Sequence, residues 1–297
     1  MSADGPNLPP LIMLRAFEAV ARMGSMRKAA DDIGVSHTVV SRHVRNLEHW
    51  LGQALVTATP RGVVLTAQGE ALFAATSRAF RIIANAAAEL RPASRRTSLR
   101  IWCMPGLATR WLTPRLSAIE AAMGNVDFSL RAIDRLPDFA AGEADLMIGF
   151  GSFDRLPPGA ERLLMPRMFP AASPDWIARH GAPKDLSELA RAPLIHEESR
   201  QQWTDWFEAM GFALRGELRG PRLWDANLGF DAALAGQGIA LVTRLTAGAE
   251  IDDGRLVEIL TSTVRLGGYY LVKAPQRVDD PVLARFERWL EENLPLD

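Results

Sequence analysis

The chain has 297 residues, of which 48% are hydrophobic and 23% charged, a composition typical of a globular protein with two or three domains. Its single cysteine, Cys103, excludes an intrachain disulfide and a cysteine-rich metal site, which fits a reducing compartment. The formal net charge is −1, but residues 1–98 hold 12 Lys/Arg and 7 Asp/Glu, and residues 99–297 hold 22 and 28. The first part is therefore positive by 5 and the second negative by 6, a weak indication that the N-terminal third meets a polyanion.

The first residues lack the basic and apolar segments of a signal peptide. No stretch approaches the run of about 18 consecutive apolar residues that a membrane span requires. We therefore expect a cytoplasmic protein that does not enter the membrane.

Three short helices are predicted before residue 52. The first ends at Gly24, Ser25 caps the second, and Gly34 permits the sharp turn that follows it. Ser36 is placed to cap the third, which runs to about Leu51. Its predicted buried stripe consists of Val40, Val44, Leu47 and Leu51.

The second and third helices, with their short turn, form a helix-turn-helix pattern. The face opposite the buried stripe carries hydrogen-bonding side chains, and the candidate DNA contacts are Ser36, His37, Thr38, Ser41, Arg42 and Arg45. Arginine bonds guanine edges or phosphates, serine and threonine contact base or backbone, and a helix N-terminus favours phosphate. DNA reading is favoured over the alternative, a solvated helix face in a bundle.

Two β-like runs, residues 55–57 and 63–65, flank a turn over 59–62 and predict a two-stranded wing. Arg61 lies at its tip. An arginine there either enters a minor groove or remains a solvated turn residue.

A long helix is predicted from residue 67 to about residue 90, which is about 36 Å at 1.5 Å per residue. Its apolar positions alternate three and four apart, as in a coiled coil. Such a helix either packs on its own domain or dimerises, and its length favours dimerisation. The expected seam residues are Leu72, Ala79, Ile83 and Leu90. Residues 91–98, rich in Pro, Ser and charge, mark a domain boundary.

From residue 99 the pattern alternates strands with helices, beginning with the strand "LRIWCM" and the single helix "GLATRWLTPRLSAIEAA". It predicts βαβ organisation with a parallel sheet and then a second similar unit. The strand "YYLVK" and the last helix are predicted to return to the first lobe. We therefore predict a multidomain α/β protein. Its parts are a winged helix-turn-helix over 1–66, a linker helix and hinge over 67–98, and two α/β lobes within 99–297, namely 99–165 plus 268–297, and 166–267.

Ligands of open α/β folds bind beyond the carboxyl ends of strands. That rule points to loops at 103–109, 149–152, 196–203 and 224–228. The candidate effector contacts are Met104, Pro105, Gly106, Phe150, His196, Glu197, Trp203, Trp224 and Asp225. Trp203 and Trp224 either belong to the core or pack on a ligand.

Signatures of catalysis are missing from the sequence. The "HEE" at residues 196–198 is not HExxH, and GxSxG, P-loop and GxGxxG motifs are missing. We therefore predict no catalytic residues, no metal site and no cofactor. Cys103 follows a strand and is either a core residue or a redox sensor. A small-molecule-binding protein or an enzyme with a helical N-terminal assembly domain remains the alternative function.

Three motifs occur in one order, "LRAFEAVAR.GS...AA", "VS..VVS..VR.LE..LG" and "LT..GE.L". Together they resemble the N-terminal domain of LysR-type transcriptional regulators, in the branch containing the activators of glycine-cleavage and β-lactamase operons. The later "ATRWLTPRL", "DF..GEADLMIGFG" and "AALAGQGIALV" resemble that branch's effector domain, so the similarity covers nearly the whole chain.

The resemblance implies a DNA-binding transcriptional regulator that is not an enzyme. Its effector domain would have two lobes like a periplasmic binding protein, with a small-molecule effector between them. The implied partners are double-stranded DNA, the effector and further copies of the chain in homodimers and homotetramers. RNA polymerase is a further candidate partner.

Three positions depart from the family pattern, which usually has Gln, Phe and Arg where this chain has His37, Val56 and Ala58. We expect His37 to change which base is read. Ala58 is expected to remove a DNA backbone contact near the wing.

The effector region also departs from the family. Many members bind a carboxylate with a hydroxyl just after the first strand of the effector domain, where this chain has Gly106. The facing loops carry Glu197, Glu198 and Asp225, which would repel a carboxylate unless Arg200 offsets them. We therefore expect a ligand with an aromatic or amine-bearing part rather than a simple dicarboxylate.

Overall fold

The computed structural model describes residues 8–60, 62–89 and 98–295. They fall into two units, divided between Ser94 and Arg95. The expected wing-tip residue Arg61 and the expected seam residue Leu90 lie outside the described residues, as does the expected boundary except for Ser98.

The first unit contains four helices and one hairpin. Its elements are α1 (Leu11–Met23), α2 (Met26–Ile33), α3 (His37–Leu51), β1 (Val56–Thr59), β2 (Gly62–Leu65) and α4 (Ala67–Glu89). The predicted caps are confirmed, because the Ser25 and Ser36 hydroxyls accept hydrogen bonds from the third N–H after each of them. The predicted stripe of α3 is buried except for Leu51, which is half-buried.

The β1–β2 hairpin is fastened to the helices through its backbone and through the apolar side chains of Val56, Val63 and Leu65. The Val63 amide donates to the Gly24 carbonyl at 2.9 Å. A Cβ atom on Gly62 would lie 2.4 Å from that same oxygen, so the approach requires glycine. At the other strand, Glu48 Oε1 accepts hydrogen bonds from the amides of Leu55 and Val56 at 2.8 and 3.2 Å.

The long helix α4 divides into two halves with different surroundings. In the first half, Leu72 packs against the core of its own unit and Thr76 is buried. In the second half, Ala79 is exposed and the Ile83 side chain is 56% exposed. Leu72 therefore packs within its own unit. The dimer seam remains a prediction for the exposed second half of α4. Neither α4 nor another helix in the described ranges combines the length and apolar character that a membrane span needs.

The second unit begins with a five-stranded sheet in the order β4-β3-β5-β12-β6. Its strands are β3 (Ser98–Cys103), β4 (Asp127–Ala132), β5 (Leu146–Gly151), β6 (Ala160–Leu164) and β12 (Gly268–Lys273). As predicted, β12 returns to this sheet, and α12 (Pro281–Asn293) packs on its core. The sheet is mixed rather than parallel, because β12 runs antiparallel to β5 and β6.

The connection after β3 was expected to be one helix, and it is broken into four segments. These are α5 (Pro105–Leu107), a π-helical turn (Ala108–Leu112), a 3-10 turn (Thr113–Arg115) and α6 (Leu116–Met123). Pro114 explains the break, since proline has no N–H and its ring clashes with the carbonyl four residues earlier. The Ala108 carbonyl accepts hydrogen bonds from both the Thr113 N–H and the Thr113 hydroxyl, the latter at 2.8 Å.

The second lobe differs from the predicted parallel unit. Its strands are β7 (Met168–Ala172), β8 (His196–Glu197), β9 (Arg222–Leu223), β10 (Ala240–Thr243) and β11 (Val257–Glu258). The central strand β7 runs antiparallel to β10 and β11, whereas β8 and β9 pair in parallel. A run of buried apolar residues does not encode strand direction, which is why the pattern misled the prediction.

The helices of the second lobe are α7 (Pro174–His180), α8 (Leu186–Arg191), α9 (Gln201–Ala209), α10 (Ala226–Leu234) and α11 (Arg244–Asp252). The lobe has its own apolar clusters, built around Trp206 and Phe169. Leu245 of α11 instead joins the core of the first lobe, so this side chain connects the two lobes.

A buried carboxylate fastens the first lobe. Asp145 is 1% exposed and accepts hydrogen bonds from the Arg100 amide at 2.7 Å and the Arg100 guanidinium at 2.8 Å. Arg277, in the 3-10 turn after β12, approaches the same carboxylate at 3.0 Å. One side chain thus joins β3, the start of β5 and the C-terminal segment.

We predict that Asp145→Ala destabilises the second unit by about 3 kcal/mol, because it leaves two arginines without their buried partner. The control Asp252→Ala removes an exposed pair with Arg244 and is expected to cost less than about 1 kcal/mol. Urea unfolding followed by tryptophan fluorescence measures both, since Trp50 is the only tryptophan before residue 95. Equal losses in the two variants would contradict this account of Asp145.

Candidate functional site

The first candidate site is the exposed face of α3. Ser36, His37, Thr38, Arg42 and Arg45 are exposed, and Ser41 is half-buried. Because these positions recur at helical spacing, they share one face over the first turns of the helix. The structure therefore brings together all the described DNA-contact candidates of α3.

The orientation of α3 is set by its attachment to α2 and α1. Gly34, with a φ of +73°, allows the tight turn between α2 and α3. Arg22 of α1 bonds Glu18 at 3.1 Å and Asp32 of α2 at 2.7 Å, and this contact lowers the pKa of the Asp32 carboxyl. The turn and the ion pairs hold the short helix α2 in place. The polar face of α3 is thereby left exposed.

The wing lies next in the chain, and Ala58 is exposed on it. The turn is closed by the Thr59 hydroxyl, which donates to the Gly62 carbonyl at 3.2 Å. Ala58 therefore offers a short apolar side chain at the position where the family pattern has arginine.

The second candidate site is a cavity in the second unit, between its two lobes. The first lobe contributes Gly106 and Arg110. The second contributes residues of β8, α9, α10, β10 and α11, chiefly Ile195, Glu197, Gln202, Asn227, Phe230, Val242 and Thr246. The cavity measures about 50 Å³, against roughly 10–15 Å³ for one water. It therefore suits a small ligand.

Arg110 crosses from one lobe to the other. Its Cζ atom lies 4.1 Å from the centre of the Phe230 ring, and an Nη atom donates to the Asp231 carboxylate. The side chain is only 19% exposed, and its Nε atom is buried without a hydrogen-bond partner. A cation at this position can bind a carboxylate.

Glu197 borders the same cavity from the second lobe. Burial, together with the negative charges of Glu198 and Asp225, raises the pKa of its carboxyl above the ordinary value. Three acidic side chains therefore lie close together where Glu197 borders the cavity.

The expected effector residues are only partly brought together. Gly106 and Glu197 line the cavity. Trp203 was wrongly placed, because it is fully buried, packs beside Trp206 and donates its indole N–H to the Ile195 carbonyl at 2.8 Å. His196 is corrected for the same reason, since it is fully buried and its Nε2 lies 3.2 Å from the Arg219 carbonyl.

The remaining candidates lie outside the lining. Trp224 is 76% exposed, and Asp225 caps α10 by accepting a hydrogen bond from the Asn227 amide at 2.8 Å. Phe150 packs on Tyr269 with ring centres 5.0 Å apart. Met104 and Pro105 are half-buried before the cavity-lining Gly106.

Sequence reasoning missed the charged group that dominates the cavity. The candidate loop ended at residue 109, and Arg110 was assigned to an uninterrupted helix. Pro114 was the available signal, because the π turn that precedes it contains Arg110. Gln202 and Asn227 lie within the expected loops 196–203 and 224–228 but were not singled out, whereas Thr246 had no comparable signal.

Comparison with known families decides the class of protein. Residues 11–70 match the model described as "Bacterial regulatory helix-turn-helix protein, lysR family", and residues 92–295 match "LysR substrate binding domain". The chain belongs to the LysR family of transcriptional regulators. The resemblance stated from its motifs is thus confirmed, and the family is one of regulatory transcription factors.

Full-length relatives of this LysR-family protein include the glycine cleavage system transcriptional activator of Escherichia coli (strain K12), which is 30% identical over 96% of this chain and 93% of the relative. The transcriptional activator AmpR of Citrobacter freundii is 28% identical over 95% and 96% of the two chains. Among solved structures, the LysR family transcriptional regulator CbnR shares the fold, with a TM-score of 0.64 at 22% identity over 96% of this chain and 99% of that one.

We predict that Arg42→Ala weakens specific DNA binding by about 1–3 kcal/mol, because we expect this exposed side chain of α3 to contact a base edge. Fluorescence anisotropy with specific and scrambled duplexes measures the effect, and Ser41→Ala is expected to act in the same direction. Arg15→Ala, an exposed arginine on α1, is the control. Unchanged affinity in both α3 variants, with unchanged melting temperatures, would show that α3 does not recognise the DNA sequence.

Proposed function

We propose that this LysR-family protein reads its operator by placing the first turns of α3 in the major groove of double-stranded DNA. The observation that carries the proposal is the exposed hydrogen-bonding face of α3, from His37 to Arg45, on a helix whose other side is buried. The wing, at whose tip the sequence predicts Arg61, would lie beside the adjacent minor groove. Compared with the usual family pattern, His37 would change which base is read, and Ala58 would remove a contact with the DNA backbone.

We propose that the protein acts as a homodimer joined through α4. In support, the described second half of this helix exposes Ala79, Ile82, Ile83 and Ala86. Water-exposed isoleucines at this density favour a partner helix. A symmetric dimer would place two recognition helices in successive major grooves, about 34 Å apart. Pairing of dimers into a homotetramer, which the family resemblance implies, belongs to the same proposal.

We further propose that the cavity between the two lobes is the effector site. Its lining combines apolar side chains with a few convergent polar groups, as ligand sites do. A bound effector would alter the contacts that Arg110 makes across the lobes. Since relatives are named activators, contact with RNA polymerase in the cytoplasm is the proposed output.

The experiment that tests this function is a mobility shift with the DNA upstream of the chain's own gene. We expect binding about a thousandfold or more tighter than to a scrambled duplex of the same composition at physiological salt. Equal affinity for the two duplexes, together with no preferred site in a genome-wide binding selection, would contradict the proposed operator recognition.

We predict that Ile83→Glu dissociates the α4 dimer. The carboxylate would lie in an apolar seam opposite its own copy, where neither charge is paired or well hydrated. Sedimentation of the full chain is expected to show a loss of dimer.

The control for that experiment is Ala84→Glu, one residue on and about 100° around the helix, away from the seam. Both positions are exposed, so folding of the unit should tolerate either change. Loss of dimer in both variants, or in neither, would contradict a seam that contains Ile83.

A further inference from the structure

Two polar atoms at the cavity between the lobes are buried without a hydrogen-bond partner. They are Arg110 Nε, a donor, and Asn227 Oδ1, an acceptor. Both residues line the cavity, and buried polar groups are almost always paired, so their unpartnered atoms indicate polar groups that a ligand supplies. One is a positive donor and the other an acceptor, which already restricts the ligand's chemistry.

The donor side of the cavity selects a carboxylate. The Phe230 ring and the Asp231 carboxylate hold the Arg110 guanidinium in place while leaving its Nε–H without a partner. An anionic oxygen is the acceptor that makes the strongest bond to this group.

The acidic lining residue Glu197 selects a cation. Glu197 borders the cavity, and Glu198 and Asp225 lie close enough to affect its ionisation. A second carboxylate on the ligand would be repelled there, whereas an ammonium group would pair with Glu197 and donate to Asn227 Oδ1. A ligand with an amine alone would leave Arg110 Nε unpaired.

The size of the cavity sets the distance between the two charges. About 50 Å³ holds the equivalent of a few water molecules. A ligand that fits within this volume carries its carboxylate and ammonium groups only a few atoms apart, an arrangement that an α-amino acid provides. The apolar walls from Ile195, Phe230 and Val242 leave room for a small side chain.

We propose that the cleft binds a small zwitterion of the α-amino acid class, with its carboxylate on Arg110 and its ammonium group on Glu197 and Asn227. The proposal rests on the proposed function, in which this cavity is the effector site. It also agrees with the sequence-based expectation of an amine-bearing ligand.

The test is calorimetry of the full chain against the standard amino acids. For each amino acid that binds, the matching α-hydroxy acid removes the ammonium charge and the matching amino acid amide removes the carboxylate charge. We expect each analogue to bind about tenfold or more weakly, because each leaves one charged group of the cavity unpaired. Succinate and ethylamine serve as the dicarboxylate and the simple amine.

Variants then locate the site. Arg110→Gln and Glu197→Gln are each expected to weaken amino acid binding by about tenfold or more. Arg191→Gln and Glu208→Gln, at exposed positions outside the cavity lining, are the matched controls. Comparison of ligand analogues on the unmodified protein keeps the proposal testable if a variant fails to fold.

Three results would overturn the proposal. If no amino acid binds, this ligand class is excluded. If an amino acid binds with the same affinity to both cavity variants, it binds elsewhere. Tight binding of succinate or ethylamine that depends on Arg110 or Glu197 would keep the cavity as the effector site while refuting the zwitterion. That last outcome separates failure of this inference from failure of the proposed function, which the mobility shift tests independently.

Discussion

The contact of Arg110 with Phe230 and Asp231 joins the two lobes at the edge of their shared cavity. The lobes have separate sheets and largely separate apolar clusters, with Leu245 as a second connection. Their relative position at the cavity therefore depends on a few side chains, one of which carries a charge. Arg110 reaches this position because Pro114 prevents a regular helix from following β3. A local backbone irregularity thus brings a charged side chain to the lobe boundary.

The first unit follows a different physical logic. Its recognition face is polar, and nothing in the described unit covers the exposed side chains of Arg42 and Arg45. The position of this face is set by Val40, Val44 and Leu47, which are buried on the opposite side of α3. Stability and DNA recognition therefore reside on opposite sides of α3, so that changes on one side leave the other largely intact.

The sequence predicted features that depend on local chemistry. Serine caps, glycine helix ends and the apolar stripe of α3 are fixed by residues a few positions apart, and all are found in the structure. Features that depend on distant residues were predicted less well. Trp203 was assigned to a ligand because its loop position was visible, whereas its packing on Trp206 and its bond to the Ile195 carbonyl were not. Arg110 was missed because its partner Asp231 lies 121 residues later. The prediction of strand direction in the second lobe was wrong for a related reason. A pattern of buried residues is the same whether a strand runs parallel or antiparallel to its neighbour.

The attachment of the wing has a consequence for how such regulators diversify. Gly62 and Val63 fix the hairpin against Gly24 through main-chain atoms, which are the same for every residue type that the backbone permits. Exposed wing positions such as Ala58 contribute little to that attachment. After a gene duplication, substitutions there can drift without first unfolding the domain, and operator preference can diverge before any compensating change in the core. The replacement of the family's usual arginine by Ala58 is the kind of step that this freedom allows.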